Sequence, residues 1–308
     1  MAKRMLDCFA SDFIKFSKED FLSSIAASEG RVITCECIGL TMPVLGDVTN
    51  AELVASMGAD IILLNMFDVN NPVINGLPKV EPKETIHKLR ELTGRMIGIN
   101  LEPVEKNVQT SNDNSLWAMS EGRKATLANA KTAYDMGVNM ILFTGNPGNG
   151  ISNKAITDSL RAIGSQMKDK LILAAGKMHA AGILSEGGEK IITKEDVKEF
   201  VEAGADIVLF PAPGTVPGIT MEYIRELVTY AHSLGALTMT AIGTSQEGAD
   251  TSTIRQIALM CKMAGTDIHH LGDTGYPGVA IPENIMAYSI AIRGVRHTYH
   301  RMAASIRR

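Results

Sequence analysis

One pattern of hydrophobic and polar positions occurs four times along the chain. In each copy a helical segment ends at a glycine, a tight turn follows, and a short apolar stretch comes next. The turn carries an Asp or Asn, at Asp60, Asn139, Asp206 and Asp267. A polar or glycine-rich loop follows each apolar stretch, which is typical of a buried strand that ends in a loop. The repeat therefore predicts strands that alternate with helices.

One further apolar segment fits before each copy of the repeat. These segments are residues 32–37, 96–101, 171–175 and 237–242. Together with the repeated strands they give eight strands that alternate with helices, the arrangement of a (β/α)8 TIM barrel. We predict a single α/β domain over residues 1–308, with an N-terminal helical cap (1–30), the barrel (31–295) with a long final helix, and a basic C-terminal tail (296–308).

The composition is ordinary for a soluble globular protein. Hydrophobic residues make up 45% of the chain, charged residues 21%, and the formal net charge is −4. This charge gives no reason to expect a nucleic acid or an anionic membrane as partner. Apolar runs stay below the roughly 20 residues of a membrane span, and the N-terminus lacks the apolar core of a secretory signal. We expect a cytoplasmic protein, and a homo-oligomer on the general behaviour of barrels.

The loops indicate which end of the barrel carries the site. The turns before strands are short and stereotyped, whereas several loops after strands are long and polar. In TIM barrels the loops after strands build the active site. Polar residues at or after these strand ends are Glu36, Asn65, Asn100, Glu102, Thr144, Asn146, Lys177, His179, Thr244, Ser245, Glu247 and Asp273. Acids, a lysine and a histidine on one rim suit proton transfer or carbon–carbon bond chemistry.

Lys177, Glu36, Glu102 and His179 form the predicted catalytic set. A desolvated Lys177 would have a lowered pKa and could act as a Schiff-base nucleophile; it could also bind a substrate anion, or be structural. Glu36 and Glu102 could move protons, bind Mg²⁺, or pair with Lys177. The spacing of these residues shows no zinc motif; an organic cofactor is not expected, and a divalent metal stays open.

The remaining polar residues are predicted to bind a small anionic substrate. Glycine-rich loops follow strands seven and eight, where many barrels bind phosphate through backbone N–H groups, although glycines also close turns without a ligand. The predicted substrate-binding residues are Asn65, Asn100, Thr144, Asn146, Thr244, Ser245, Glu247, Gly272, Asp273 and Gly275. His269 and His270 must point to opposite faces of strand eight, one into the barrel and one under the helices. Trp117, in the long loop after strand three, is predicted to report on closure of that loop over the site.

Two stretches carry a resemblance to a known family. The segments EGRVITCECIGLTMPVLGDVTNAELVASMGADIILLNMFD and ELTGRMIGINLEPVE resemble an uncharacterised bacterial TIM-barrel family whose members carry loose labels, phosphonomutase-like or dehalogenase-like hydrolase. The repeat, with glycines after strands seven and eight, more distantly resembles ribulose-phosphate-binding barrels. The resemblance implies the fold and brings no established reaction. The DxD motif of dehalogenase-type phosphatases and the acidic metal cluster of phosphonomutases have no match at these strand ends.

Three functions remain open from the sequence. The first, which we take as the prediction, is a lyase or isomerase that acts on a small phosphorylated or carboxylated metabolite at the C-terminal mouth of the barrel. The second is a metal-dependent enzyme of the phosphonomutase or isocitrate-lyase type. The third is a non-catalytic barrel that binds a small molecule, because fold alone does not define function.

Overall fold

Eight parallel strands close into one barrel in the computed structural model, which describes residues 2–104, 119–145, 151–180 and 187–308. The strands are β1 (Val32–Ile38), β2 (Ile61–Asn65), β3 (Met96–Leu101), β4 (Met140–Phe143), β5 (Ile172–Gly176), β6 (Ile207–Pro211), β7 (Leu237–Ile242) and β8 (Ile268–Leu271). Each strand pairs with the next, and β8 pairs with β1. The predicted (β/α)8 fold is confirmed. The predicted residues Asn146 and Trp117 lie outside the described residues.

A helix follows every strand, and two short helices precede β1. The helices are α1 (Ala10–Phe13), α2 (Lys18–Ala26), α3 (Asn50–Ser56), α4 (Thr85–Thr93), α5 (Leu127–Asp135), α6 (Asn153–Met167), α7 (Lys194–Glu202), α8 (Met221–Ser233), α9 (Thr251–Ala264) and α10 (Pro282–Ala303). Thr49 and Thr193 begin α3 and α7 with capping boxes, as their sequences predict. Among the described helices, none has the length and apolar character needed to cross a membrane.

Successive side chains of the strands alternate between two hydrophobic layers. On β2, Ile61 and Leu63 belong to the cluster that fills the barrel interior. Ile62 and Leu64 belong to the cluster between the strands and the surrounding helices. The strands are buried on both faces, so they read as nearly continuous apolar runs. Polar residues at inward positions are therefore exceptions to the pattern and define the site described below.

The N-terminal segment closes the lower end of the barrel. Met5, Phe13, Phe21 and Ile25 pack in the same cluster as the inward side chains at the strand starts, such as Ile61. Each of these side chains is at most 2% exposed. Burying a large apolar side chain contributes about 1.5–3 kcal/mol. The helices before β1 thus cover apolar surface at the end of the barrel opposite the predicted site.

The Asp or Asn of the repeat fixes the start of its own strand to the strand before it. Asp60 Oδ2 accepts a hydrogen bond from Ile33 N at 2.9 Å, and Asp60 N donates to Ile33 O at 2.9 Å. Asn139 and Asp206 make the same reciprocal pair with the preceding strands, and the Asp267 carboxylate accepts from Thr238 N. A short side chain with an acceptor oxygen is needed at this position, which explains the repeat.

Asp60 also forms ion pairs with two arginines of α10. Arg293 Nη1 lies 2.6 Å and Arg301 Nε 2.7 Å from the carboxylate oxygens, and all three side chains are buried. Burial raises the pKa of Asp60, but the charges of Arg293 and Arg301 outweigh it and hold the pKa below its ordinary value. Arg301 also donates to the backbone oxygens of Met5 and Cys8. The segment predicted as a basic C-terminal tail is therefore partly buried, because α10 extends to Ala303 and Arg301 ties the N-terminal segment to the start of β2, whereas residues 305–308 are exposed.

Asp60→Asn should destabilise the protein far more than Asp206→Asn. Removing the Asp60 charge leaves buried arginines without a counter-ion, which costs about 3–5 kcal/mol. The pKa of Asp206 is raised by burial, which Leu173 N and Lys18 offset only in part, so the neutral form is favoured there and a neutral amide should cost less than at Asp60. Urea unfolding of both variants checks this difference. Equal losses would show that the ion cluster around Asp60 contributes no more stability than the single ion pair of Asp206.

Candidate active site

Glu36 stands inside the barrel at a position where the strands otherwise carry apolar residues. Its neighbours Cys35 and Cys37 are free thiols that pack in the outer hydrophobic layer. Glu36 is 5% exposed, and its Oε1 accepts a hydrogen bond from Asn100 Nδ2 on β3 at 2.8 Å. The alternation of β1 and β3 thus brings an acid and an amide together across β2.

A chain of hydrogen bonds connects Glu36 with the loop after β8. Asn100 Nδ2 also donates to Asn65 Oδ1 at 3.1 Å, and Asn65 Nδ2 donates to Asp273 Oδ2 at 2.8 Å. Asn65 Oδ1 accepts a further bond from Met66 N at 2.8 Å, so the orientation of both amides is fixed by their partners. The structure therefore brings together four residues that the sequence placed at separate strand ends.

Glu247, after β7, joins the same group. Its Oε1 accepts a hydrogen bond from Thr274 N at 3.0 Å, and the side chain is 4% exposed. A side chain at Gly272 would meet this carboxyl, because a Cβ there would lie 3.3 Å from Oε1. Glycine at 272 thus leaves the space that Glu247 occupies beneath the loop after β8.

Burial raises the pKa of all three carboxyls. Desolvation is the largest cause for Glu36, whose pKa lies well above its ordinary value, and the nearby charge of Asp273 raises it further while the bond from Asn100 lowers it. Desolvation also raises the pKa of Asp273, although the hydrogen bonds from Asn65 and Gly275 lower it in part. Desolvation likewise raises the pKa of Glu247, and the backbone hydrogen bonds that its carboxyl accepts lower it in part. The protonated form of Glu36 is favoured as a result.

His270 enters the barrel beneath Glu36, while His269 packs under α10, as strand alternation predicts. His269 is satisfied by Tyr288 Oη at 2.8 Å and Gly30 O at 3.0 Å. His270 is fully buried, and burial lowers its pKa to about 4. Its Nε2 lies 3.6 Å from Glu36 Oε2, too far for a hydrogen bond. A neutral imidazole thus faces the acid. Strand alternation alone did not predict which of the two histidines would do so.

The other predicted acid, Glu102, lies across the mouth in an ion pair. Its carboxylate accepts from Arg123 Nε at 3.0 Å, and both side chains are 7% exposed. The partner is therefore Arg123, in the segment before α5, and not Lys177 as one interpretation of the sequence held. Backbone bonds between Glu102 and residues Arg123 and Ala125 hold this segment against the end of β3. Arg123 carries no repeat or spacing signal, so the sequence did not indicate it.

Lys177 and His179 follow β5 on the same side of the mouth as Thr144. Lys177 is 2% exposed, and Thr144, directly after β4, is 4% exposed. Burial lowers the pKa of His179, and the positive charge of Lys177 lowers it further. Lys177 and His179 lie beyond Gly176, the last residue of β5, so strand alternation does not define where their side chains point. The hydrogen-bonded chain that runs from Glu36 through Asn100 and Asn65 to Asp273 does not include them.

The glycine-rich loop after β8 already uses two of its N–H groups. Thr274 N donates to Glu247, and Gly275 N donates to Asp273 Oδ1 at 2.8 Å. The Thr244 hydroxyl donates to Thr215 O at 3.0 Å, and Thr244 and Ser245 are exposed. Two carboxyl groups thus occupy the place where the predicted phosphate would bind, so this geometry does not support a phosphate cradle at the loop.

Backbone strain is concentrated at the mouth. Met66, Thr244, Ser245 and Thr274 follow strand ends and have φ of 57°, 59°, 67° and 56°. This left-handed region is costly for residues other than glycine and is often found at functional sites. These strained backbone positions are a separate observation from the buried carboxyl groups of Glu36, Asp273 and Glu247, and they lie at the same end of the barrel.

The fold and the polar mouth define a TIM barrel with an acidic site at its C-terminal end. The family model described as a domain of unknown function, DUF7916, matches residues 6–308, and the chain belongs to that family. A search of curated proteins finds no match. The predicted resemblance to a TIM-barrel family without an established reaction is thus supported, but its phosphonomutase and hydrolase labels are not.

Solved structures show a similar fold. Thiamine phosphate pyrophosphorylase from Pyrococcus furiosus is 11% identical, with 86% of this chain and 96% of that chain covered and a TM-score of 0.47. A proposed lyase/mutase from Burkholderia cenocepacia J2315 is 15% identical, with 83% and 80% covered and a TM-score of 0.48. At these identities the likeness concerns the fold alone.

Glu36→Gln should stabilise the protein increasingly as the pH rises. The folded-state pKa of Glu36 lies above its unfolded value of about 4.3, so over that interval the unfolded chain releases the proton first. The wild type therefore loses stability relative to the variant from about pH 4.3 upward until the folded-state pKa is reached, by about 1.4 kcal/mol for each unit of pKa difference.

Urea unfolding at several pH values between about 5 and 8 measures this effect. Glu199→Gln, at an exposed position of α7, is the control and should show a difference from wild type that does not change with pH. A pH-independent difference for Glu36→Gln as well would mean that the Glu36 carboxyl is ionised in the folded protein.

Proposed function

We propose that the protein is an enzyme, a lyase or isomerase that transfers a proton on a small metabolite at the C-terminal mouth of the barrel. The observation that carries this proposal is Glu36, an acid inside the barrel whose burial favours the protonated form. A carboxyl group with a raised pKa can donate and recover a proton near neutral pH, which an ordinary carboxylate does poorly.

The neighbours of Glu36 can stabilise both the protonated and the ionised form of its carboxyl group. Asn100 Nδ2 holds Oε1 at 2.8 Å and would stabilise the carboxylate once the proton has left. Asn65 and Asp273 hold Asn100 in turn, so the acid is positioned through a chain of hydrogen bonds that starts on rigid strands. In this mechanism Glu36 moves the proton, and Asn100 orients it.

The anionic group of the substrate is assigned to the other side of the mouth. Lys177 is the buried cation that follows β5, with His179 beside it, and Thr144 follows β4. Glu102 is paired with Arg123, so its charge would position this side of the site and not move protons. A phosphate or carboxylate near Lys177 would keep its charge away from the carboxyls on β1, β7 and β8.

Proton transfer predicts hydrogen exchange with solvent. The wild-type protein, incubated in D₂O with a panel of small carboxylated and phosphorylated metabolites, should add deuterium to its substrate, as read by mass spectrometry. Glu36→Gln should lower the exchange rate by about 10²–10⁴-fold, because an amide is neither a usable acid nor a usable base near neutral pH. Glu199→Gln should exchange at the wild-type rate. Saturable binding without exchange in the wild type would instead identify a non-catalytic binding barrel.

Lys177 can be tested with the substrate found in that screen. If Lys177 binds an anion, Lys177→Met should raise KM by about tenfold or more and Lys177→Arg should restore much of the loss, with kcat little changed in both. Borohydride should then trap no covalent adduct. A trapped adduct on Lys177, with no turnover in Lys177→Arg, would show that the amine is a Schiff-base nucleophile and not an electrostatic ligand.

A further inference from the structure

The acidic side of the mouth has no ion-pair partner among the lysines and arginines that the structure describes. In addition to the effect of burial, the charges of Asp273 and Glu247 raise the pKa of Glu36, and the charge of Asp273 raises the pKa of Glu247. Among the described residues, no lysine or arginine forms an ion pair with any of these three carboxyls. At the other end of the barrel, by contrast, the buried carboxylate of Asp60 is surrounded by arginines. Buried charges are ordinarily paired, so the missing positive charge is a property of this site.

Two buried acceptor atoms in the same group lack a donor. Asn100 Oδ1 and Glu247 Oε2 have no hydrogen-bond partner in the described part of the chain, although the residues are only 6% and 4% exposed. The Asn100 amide cannot simply be turned, because its Nδ2 already faces two acceptors, on Glu36 and Asn65. An unsatisfied buried acceptor costs about 1–3 kcal/mol, so a ligand that donates here gains affinity.

The acidic side of the mouth would be complemented by a ligand that donates hydrogen bonds and carries a positive charge. A primary ammonium group supplies three N–H donors and one charge and has no acceptor of its own. A phosphate or carboxylate would bring further acceptors and negative charge against the carboxyls. A Mg²⁺ ion needs several oxygen ligands in near-octahedral geometry, and both oxygens of Asp273 already accept bonds, from Asn65 and Gly275. In the described part of the chain no set of three His, Cys, Asp or Glu side chains has an arrangement that could hold a metal.

We infer that the acidic side of the mouth, formed by Glu36, Asn100, Asp273 and Glu247, binds a primary ammonium group, so that the substrate is a small amino compound. This inference rests on the proposed function only where it calls the bound compound a substrate. The binding of an ammonium group does not depend on the proposed function. With an anionic group at Lys177, the ligand would carry opposite charges at its two ends. The ammonium group would also lie beside the Glu36 carboxyl that moves the proton.

Binding of an ammonium group should depend on pH in a defined direction. The groups that face the site are Glu36, Asp273, Glu247 and His270, and His270 is neutral because burial lowers its pKa to about 4. A cation favours the ionised carboxyls, so its binding releases protons and strengthens as the pH rises. A neutral ligand that accepts a hydrogen bond from a protonated carboxyl would show the opposite trend.

The test uses four probes on the whole protein: ethanolamine, its neutral analogue ethylene glycol, its anionic analogue glycolate, and Mg²⁺. Each is titrated to millimolar concentrations while the unfolding temperature is followed, at a mildly acidic and a mildly alkaline pH. We expect ethanolamine to raise the unfolding temperature most, and more at the higher pH. Isothermal titration in buffers of different ionisation enthalpy should show proton release with ethanolamine.

Glu247→Gln is the matched variant, because it keeps an oxygen for Thr274 N and places an N–H₂ donor where the unsatisfied acceptor stood. Ethanolamine should bind this variant about tenfold more weakly or worse, since a charged hydrogen bond is lost. Glu199→Gln should bind like the wild type. A variant that fails to fold shows no unfolding transition of its own, and Asp273→Asn then takes its place.

Three results would overturn the inference: a larger response to ethylene glycol, glycolate or Mg²⁺, the same affinity for ethanolamine in Glu247→Gln and the wild type, or no response to ethanolamine. The outcome is separable from that of the proposed function. Ethanolamine binding without any deuterium exchange would leave an amine-binding barrel that is not an enzyme. Exchange on a substrate without an amine, together with no ethanolamine binding, would leave the enzyme and remove the ammonium site.

Discussion

The reciprocal hydrogen bonds of the repeated Asp or Asn determine the register of the barrel, on which the site depends. Asp60 binds Ile33 through both its backbone N–H and its carboxylate, and Asn139 and Asp206 do the same with their preceding strands. A strand that slipped by one residue would exchange its inward and outward side chains. On β1 that slip would replace Glu36 in the interior by Cys35 or Cys37. The lower end of the barrel thus decides which residues face one another at the upper end.

The same constraint explains how much the sequence could predict. Strand alternation and the Gly–Asp turns are local, so they located the eight strands to within one residue at most ends and placed Glu36, Asn65, Asn100 and Asp273 on one rim. Partners that depend on distant segments were out of reach. Arg123 meets Glu102 only because the segment before α5 folds back on β3, and a polar loop carries no periodic signal for such a contact.

The glycine-rich loop after β8 shows a second limit of sequence reasoning. Glycines there suggested free backbone N–H groups for a phosphate, but hydrogen bonds from Thr274 and Gly275 end on Glu247 and Asp273. Whether an N–H group is free depends on the side chains that reach it, and the spacing of glycines does not encode that. Similarly, the basic composition of the C-terminal segment did not distinguish Arg301, which is buried against Met5, Cys8 and Asp60, from Arg307 and Arg308, which are exposed.

Buried carboxyl groups are paired with arginines at the lower end of the barrel and are not paired with described cations at the upper end. At the lower end the Asp60 carboxylate has arginine partners, its pKa is lowered, and its charge stabilises the fold. At the upper end Glu36, Asp273 and Glu247 have raised pKa values, and Asn100 and Glu247 each carry a buried acceptor with no donor among the described residues, which lowers the stability of the fold. Local rules of stability are broken in natural proteins mainly at functional sites, where a ligand restores the missing interactions. The ion pairs of Asp60 lie at the lower end of the barrel, where the strand register is set. The register established there holds the carboxyl groups of Glu36, Asp273 and Glu247 in place at the upper end, where we propose that a ligand binds.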